Sequence, residues 1–312
     1  MKKQYDIVGN RKKFFIFSAV LIAFILICSV IFGVKMDIQF KGGAMLTYSY
    51  EGEFDLNALQ KEINGVLGSN ASLQTGDSIA TNAKTVTISM PGSETVDAQT
   101  VELLGSMFDE KYAENAFTQL SMKNVNPSIG KEFFAKSIVA VVAASLLILV
   151  YIAIRFKKIG GWPAGSMAVV ALVHDLIVVY GVFVIMRIPL NGNFIAALLT
   201  ILGYSINDTV VIYDRVRENR QLYGKSMDFA TLVNPSINQS LRRSINTTIS
   251  TLLALGTVCV VSVIFGLDSI FTFALPLIIG MISGVYSTVC IAGPLWVEWE
   301  MRKKAKPRTK KA

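Results

Sequence analysis

Apolar side chains are gathered into six long runs, each about 20 residues, the length that an α-helix needs to cross a bilayer. The runs cover residues 14–34, 133–154, 162–186, 190–213, 245–266 and 270–299. Pro276 and Pro294 predict a broken last run, and Trp296 and Trp299 predict an aromatic belt near its end. The first run exceeds a signal-peptide core of about 7–15 residues, so we expect it to be retained. We therefore predict an α-helical membrane protein with six transmembrane helices.

Basic residues are concentrated in alternate connections between these runs. Residues 1–13 hold five Lys or Arg, the 155–161 loop three, the 214–244 loop six and residues 300–312 seven. Cytoplasmic loops carry an excess of such residues, so both termini are predicted to be cytoplasmic. We assign 1–13 to a cytoplasmic N-terminus, 14–34 to helix 1, 35–131 to an extracytoplasmic domain, 132–299 to helices 2–6 and 300–312 to a cytoplasmic tail.

Composition agrees with this class. Of 312 residues, 52% are hydrophobic and 17% are charged, whereas soluble domains have about 25% charged residues. The net charge of +8 would suggest a nucleic-acid partner in a soluble protein. Segment 35–131, however, has seven Lys against twelve Asp or Glu, a net charge of −5, so we expect no nucleic-acid partner.

The outer segment alternates between strand and helix patterns, with Asp55 as a predicted N-cap. The order β-α-β-β-α-β is that of a ferredoxin-like α+β domain. Its elements are predicted at residues 44–50, 55–67, 72–75, 85–90, 96–112 and 116–125. Neither a metal-ligand cluster, a Gly-rich phosphate loop nor a nucleophile motif accompanies them. The sequence therefore favours a binding or docking domain over an enzyme, and it indicates neither metal nor cofactor.

A carboxylate inside a membrane span is a functional candidate, because a charge there costs about 2.5–3.5 kcal/mol or more. Asp208 is the strongest one. It shares a helical stripe with Thr200 and Tyr204, has Asn207 beside it, and lies roughly 9 Å before Asp214 at about 1.5 Å per residue. A carboxylate at that depth is suited to exchange protons. The alternative is a structural hydrogen bond to a neighbouring helix.

Arg243 opens the fifth span, either as the counter-charge of Asp208 or as a cytoplasmic anchor. The small and hydroxylated residues that follow it predict close helix packing: Thr247, Ser250, Thr251 and Ala254. His174 and Asp175 lie near the middle of the third span, as a proton relay or an interhelical pair. Their separation of about 100° around the helix predicts that they face different neighbours.

The spans carry one further packing signal, and the segment between the fourth and fifth runs is ambiguous. Gly280 and Gly284 form a GxxxG motif, a spacing suited to close helix contacts. The 214–244 segment is amphipathic and charged, which fits an interfacial helix, a partner surface or a solvated connector.

Four motifs resemble the SecD/SecF family of protein-export membrane proteins, and its SecF members in particular. The most specific is residues 203–219, GYSINDTVVIYDRVREN; the others are residues 40–43, 172–175 and 241–248. Two positions depart from the family pattern. Gln39 stands before Phe40 where the family commonly has Asp, and Ser244 follows Arg243 where the family usually has Thr.

The resemblance implies a multi-pass subunit of the bacterial plasma membrane. Together with SecD, such a subunit forms a twelve-span complex of the resistance-nodulation-division (RND) type, of which it is one half. The resemblance implies that the complex uses the proton motive force to assist export of unfolded polypeptides through the SecYEG channel. It also implies that Asp208 and Arg243 belong to the proton path, and that His174 and Asp175 are motif members.

Gly42 and Gly43 follow Phe40 just outside the first span, where glycine would allow a hinge between membrane and outer domain. This hinge is our hypothesis. Two other functions stay open: a subunit of a proton-coupled small-molecule exporter of the RND type, and a passive scaffold that stabilises the translocation channel.

Overall fold

The structure is a computed structural model that describes residues 4–67, 71–77, 83–91, 98–223, 227–265 and 267–305. Its helices and strands are, in chain order, α1 (Arg11–Phe32), α2 (Ile38–Lys41), β1 (Gly43–Tyr50), α3 (Leu56–Leu67), β2 (Ser72–Asp77), β3 (Lys84–Pro91), α4 (Ala98–Lys111), β4 (Thr118–Val125), α5 (Pro127–Arg155), α6 (Gly161–Ile185), α7 (Gly192–Tyr223), α8 (Phe229–Ile264), α9 (Asp268–Ser287) and α10 (Gly293–Ala305). A π-helical turn, Thr288–Ala292, joins α9 to α10.

Six helical segments of the described chain are long and apolar enough to cross a membrane. They are α1, α5, α6, α7, α8 and the stretch Ser269–Lys303, which runs through α9 and α10. A small antiparallel sheet lies between the first and second of them. The predicted fold class, a six-span helical membrane protein with one α+β domain after the first span, is confirmed.

The charged 214–244 segment is largely helical, so α7 and α8 are longer than the apolar runs that predicted them. Asn219 Nδ2 donates to Ser236 Oγ at 2.8 Å, which ties the end of α7 to the beginning of α8. The amide oxygen of Asn234 accepts from the backbone of Ile7 at 2.9 Å and of Val8 at 3.1 Å. This segment therefore holds the N-terminal residues against α8.

The sixth span departs from its prediction in two respects. Pro276 lies inside α9 without ending it, and the irregular turn comes later, at Thr288–Ala292. Trp296 is completely buried, with its ring 4.9 Å from the rings of Tyr213 and Phe229. The prediction of a two-tryptophan belt is therefore wrong for Trp296, because aromatic side chains of α7 and α8 enclose it, whereas Trp299 is exposed.

The sheet of the small domain has the strand order β2-β3-β1-β4, and all of its neighbouring strands are antiparallel. Asp55 Oδ1 accepts from the backbone of Asn57 at 2.8 Å, as expected of an N-cap. Apolar side chains of α3, α4 and the inner strands form the core, including Leu46, Leu59, Ile63, Ile88 and Leu104. Residues 96 and 97, the predicted beginning of the second helix, lie outside the described residues.

The two connections between the small domain and the spans meet at Gly42. A Cβ atom there would lie 2.3 Å from Pro127 Cα, the first residue of α5, and the glycine has φ +76°. Phe40 is buried beside it against Phe133 and Phe134, with ring centroids at 5.7 and 5.1 Å. The short helix α2 therefore packs directly against α5, and only glycine fits at position 42, where the two backbones come close together.

A substitution at Gly42 tests this contact. Gly42→Ala is expected to lower the melting temperature of the purified full chain, because the positive φ alone costs about 1–2 kcal/mol for a residue with a Cβ and the overlap with Pro127 adds to it. Gly65→Ala on α3 is the matched control. Nothing lies within 4 Å of its new Cβ, and alanine is the better helix former by about 1 kcal/mol. Equal melting temperatures for the two variants would contradict the close contact.

Candidate functional site

Asp175 on α6 is completely buried and connects three helices. Its Oδ1 accepts a hydrogen bond from Ser283 Oγ at 2.6 Å. Its Oδ2 accepts from Ser205 Oγ at 2.8 Å and from Ser287 Oγ at 2.6 Å. Because Ser205 belongs to α7 and the other two serines to α9, one carboxylate joins α6, α7 and α9. Hydrogen bonds of this kind offset the cost of burying a carboxylate.

Small residues bring the same three helices close together. A Cβ at Gly280 would lie 2.7 Å from Val179 Cγ2 on α6 and 2.8 Å from Ile201 Cδ1 on α7. One at Gly284 would lie 3.1 Å from Ser205 Cβ. The GxxxG spacing of α9 therefore serves contacts with α6 and α7.

His174 contacts Asp175, so the expectation that the two side chains face different neighbours is wrong. Nδ1 of His174 lies 3.2 Å from Asp175 Oδ1 and 3.5 Å from Ser283 Oγ. Rotation about the side-chain bonds brings the two groups together although their Cα–Cβ bonds diverge. Since a carboxylate oxygen accepts, this contact favours the tautomer with the proton on Nδ1. Buried Nε2 has no hydrogen-bond partner among the described residues.

Asp208 lies on α7, about one helical turn after Ser205, and is 5% exposed. It faces Ser244 and Arg243 of α8. Oδ2 of Asp208 and Oγ of Ser244 are both buried, and neither has a hydrogen-bond partner of normal geometry among the described residues. Buried polar atoms are nearly always paired. This carboxylate oxygen therefore marks a place for a proton, a water molecule or a group from another chain.

The helix face beside Asp208 is polar and exposed. It includes Asn207 of α7 and Arg243, Thr247 and Ser250 of α8. Exposed polar groups are costly where a helix meets lipid. This face is therefore suited to a protein neighbour rather than to acyl chains.

The hydroxylated stripe predicted for helix packing is on this exposed face instead. The hydroxyls of Ser250 and Thr251 donate within their own helix, to the carbonyls of Asn246 and Thr247, at 3.0 Å each. The buried stripe of α8 comprises Ser240, Ser244 and Thr248. Thr248 accepts a hydrogen bond from Tyr204 at 3.1 Å. Within this chain the covered stripe is therefore the neighbouring one, since several hydroxylated residues of α8 share the required spacing. Close packing of the predicted stripe against a helix of another subunit stays a prediction.

A cavity of about 1080 Å³ opens between the end of α5 and the helices α7 and α8. Asn207 and Arg243 line it, so it reaches the neighbours of Asp208. The remaining predicted site residues are elsewhere. His174 and Asp175 lie among α6, α7 and α9, and Phe40, Gly42 and Gly43 lie at the junction with the small domain.

Sequence reasoning missed the three serines that bind Asp175. Ser283 and Ser287 are four residues apart on α9, a spacing that places both on one helix face. That spacing beside a membrane-buried aspartate was the available signal, but it did not identify Ser205 on another helix.

The fold and these sites define a multi-pass membrane protein with two buried carboxylates, Asp175 and Asp208, in the described part of its spans. A family model described as "Protein export membrane protein SecD/SecF, C-terminal" matches residues 106–302. The chain is 33% identical over 309 residues to the protein translocase subunit SecF of Alicyclobacillus acidocaldarius, covering 97% of this chain and 95% of that protein. It is 34% identical over 311 residues to the SecF of Rhodothermus marinus, covering 97% and 96%.

Relatives in which two subunits are fused match as well. The chain is 32% identical to the protein translocase subunit SecDF of Bacillus subtilis, covering 96% of this chain and 39% of that protein. The crystal structure of SecDF from Thermus thermophilus, described as a translocon-associated membrane protein, matches with a TM-score of 0.80 and 29% identity, covering 96% of this chain and 39% of that one. The chain thus spans about two fifths of these fused proteins.

The chain belongs to the SecD/SecF family of protein export membrane proteins. Its relatives are named translocase subunits, and it is a membrane transport subunit rather than an enzyme.

The bonds to Asp175 give a stability prediction. Ser283→Ala is expected to lower the free energy of unfolding by about 0.6–1.7 kcal/mol, the range measured for hydrogen bonds within membranes. Ser137→Ala is the matched control, since this buried serine of α5 donates only to the carbonyl of Phe133 in its own helix. Both variants are melted in the same detergent. Equal losses of stability in Ser283→Ala and Ser137→Ala would contradict the role of Asp175 as the joint of three helices.

Proposed function

We propose that the chain is the SecF-like subunit of the Sec protein translocation machinery in the bacterial plasma membrane. In this proposal it uses the proton motive force, together with SecD, to assist export of unfolded polypeptides through the SecYEG channel. Family membership and the names of the full-length relatives support the translocation role.

The exposed polar face of α7 and α8 supports a SecD partner. Asn207, Arg243 and Thr247 would be covered if a second six-span subunit packed there. The fused SecDF relatives, of which this chain covers 39%, also support a second subunit in the same complex. The resulting complex would be a twelve-span bundle of the RND type, built from two six-span subunits.

Asp208, Arg243 and Asn207 are the proposed proton path. The single observation that carries this role is the buried Oδ2 of Asp208, which lies opposite Ser244, faces Arg243 and has no hydrogen bond of normal geometry among the described residues. Serine keeps the hydroxyl that the family's threonine would supply, so the departure at Ser244 preserves the chemistry. The cavity beside Asn207 and Arg243 would bring water to within reach of Asp208.

His174 and Asp175 have a different proposed role. Three serine hydroxyls and the imidazole already surround the Asp175 carboxylate, and this supports an interhelical anchor over a proton relay. The anchor would keep α7, and with it Asp208, in position.

The orientation follows from the basic loops. Both termini and the 214–244 segment would be cytoplasmic, and the small domain within 35–131 would lie outside, where it is proposed to hold the emerging polypeptide. The Gly42–Gly43 pair, where α2 ends and β1 begins, remains the proposed hinge. One charge that crosses 100 mV supplies about 2.3 kcal/mol. This is enough to change a two-state equilibrium of the outer domain by roughly 50-fold.

The proton role is tested with Asp208→Asn, which preserves the shape of the side chain and removes its proton exchange. We expect this variant to assemble normally with its partner. Stimulation of export by a proton gradient in inverted membrane vesicles should fall to the level of vesicles that lack the chain. Proton flux through the complex should fall with it.

Asp109→Asn, at an exposed carboxylate of α4, is the matched control and is expected to behave as the wild type. Normal export and flux in Asp208→Asn would refute the motor and leave a passive scaffold. A drug-resistance phenotype, lost in Asp208→Asn while export is unaffected, would instead identify a small-molecule exporter.

A further inference from the structure

The lining of the cavity between α5, α7 and α8 is strongly basic. It includes six cationic side chains and two carboxylates, an excess of four positive charges, namely Arg155, Lys157, Lys158, Arg215, Arg217 and Arg243 against Asp214 and Glu218. A volume of about 1080 Å³ has room for a phospholipid headgroup together with water. We call Arg155, Lys157, Lys158 and Arg217 the rim of this cavity, whereas Asn207 and Arg243 line the part of it beside Asp208.

Two arginines of this rim are held in place by shared contacts. Asp214 pairs with Arg155 at 3.2 Å and with Arg217 at 2.8 Å. Both guanidinium groups also lie over the buried ring of Phe156, at 5.6 and 5.9 Å from its centroid. Since one carboxylate is shared by two arginines, the cluster keeps a net positive charge. Held guanidinium groups are well suited to phosphate oxygens, which they bind through paired N–H donors.

Two lysines extend the cluster. Lys157 and Lys158 form the short turn after α5, both are exposed, and neither makes an ion pair with any residue that the structure describes. Both lysines line the same cavity as the two arginines and follow directly on the end of α5. Clusters of this kind between helices are typical of sites for anionic lipid headgroups.

An apolar track leads from this cluster into the membrane region. Ile154 lines the cavity and is 71% exposed. Tyr151 and Leu147 lie about one and two turns earlier on α5 and are also exposed. A ligand with a phosphate in the rim would therefore have an acyl chain along α5, whereas a free phosphate ion would leave this track unused.

We propose that the rim binds the phosphate group of an anionic phospholipid, with the headgroup between Arg155, Lys157, Lys158 and Arg217 and an acyl chain along Leu147, Tyr151 and Ile154. The residues of this site are not those of the proposed proton path, Asp208, Arg243 and Asn207, although both sets border the same cavity. The site would anchor the end of α5 against α7 through the lipid.

The test measures binding to the purified full chain after delipidation. Short-chain phosphatidylglycerol, phosphatidylcholine and inorganic phosphate are titrated in parallel. The main variant is Lys157→Gln/Lys158→Gln, which leaves the ion pairs of Asp214 in place. The matched control is Lys12→Gln/Lys13→Gln, which removes two exposed charges at the beginning of α1. Ile154→Ser tests the acyl track.

Phosphatidylglycerol should bind the wild type more tightly than phosphatidylcholine does. The main variant should weaken that binding about 10–30-fold, while the control pair leaves it unchanged, because each lysine near a phosphate contributes about tenfold or less. Ile154→Ser should weaken the binding of phosphatidylglycerol but not the binding of inorganic phosphate. Equal weakening by both lysine pairs would overturn the site. Equal affinity for inorganic phosphate and phosphatidylglycerol, with no effect of Ile154→Ser, would overturn the lipid as its ligand.

Discussion

A carboxylate within a membrane span has to be compensated, because a bare charge there costs several kcal/mol, and the chain meets this constraint in two opposite ways. Asp175 is compensated completely by serine hydroxyls from two other helices and by His174. Asp208 is buried to nearly the same degree but retains an oxygen without a partner among the described residues. The first arrangement is that of a fixed structural joint. The second leaves a carboxylate oxygen that can take a proton, a water molecule or a group from another chain.

The same constraint connects the two sites. Ser205 donates to Asp175 and lies one turn before Asp208 on α7, so the joint determines where the second carboxylate stands. Gly280 and Gly284 allow α9 to approach closely enough for its serines to reach the joint. The opposite face of α7, with α8, is left polar and exposed. In the proposed complex that face is where a second subunit completes the site of Asp208.

The sequence predicts the spans and the small domain well, because hydropathy and side-chain periodicity are local properties. Predicted strand 85–90 is observed at Lys84–Pro91, and predicted helix 55–67 at Leu56–Leu67. The 214–244 segment was ambiguous because a charged amphipathic helix lacks the apolar run of a span. The contact of His174 with Asp175, the burial of Trp296 and the serines around Asp175 depend on side-chain rotation and on helices distant in sequence. Local patterns do not carry that information.

The central claim is that Asp208 exchanges protons while Asp175 is a fixed joint. Infrared difference spectroscopy of the assembled complex, recorded between two pH values, measures carboxyl protonation directly. We predict a pH-dependent band of a protonated carboxyl group that disappears in Asp208→Asn. A band that persists unchanged in Asp208→Asn, or a wild-type complex without any such band in its spans, would contradict it.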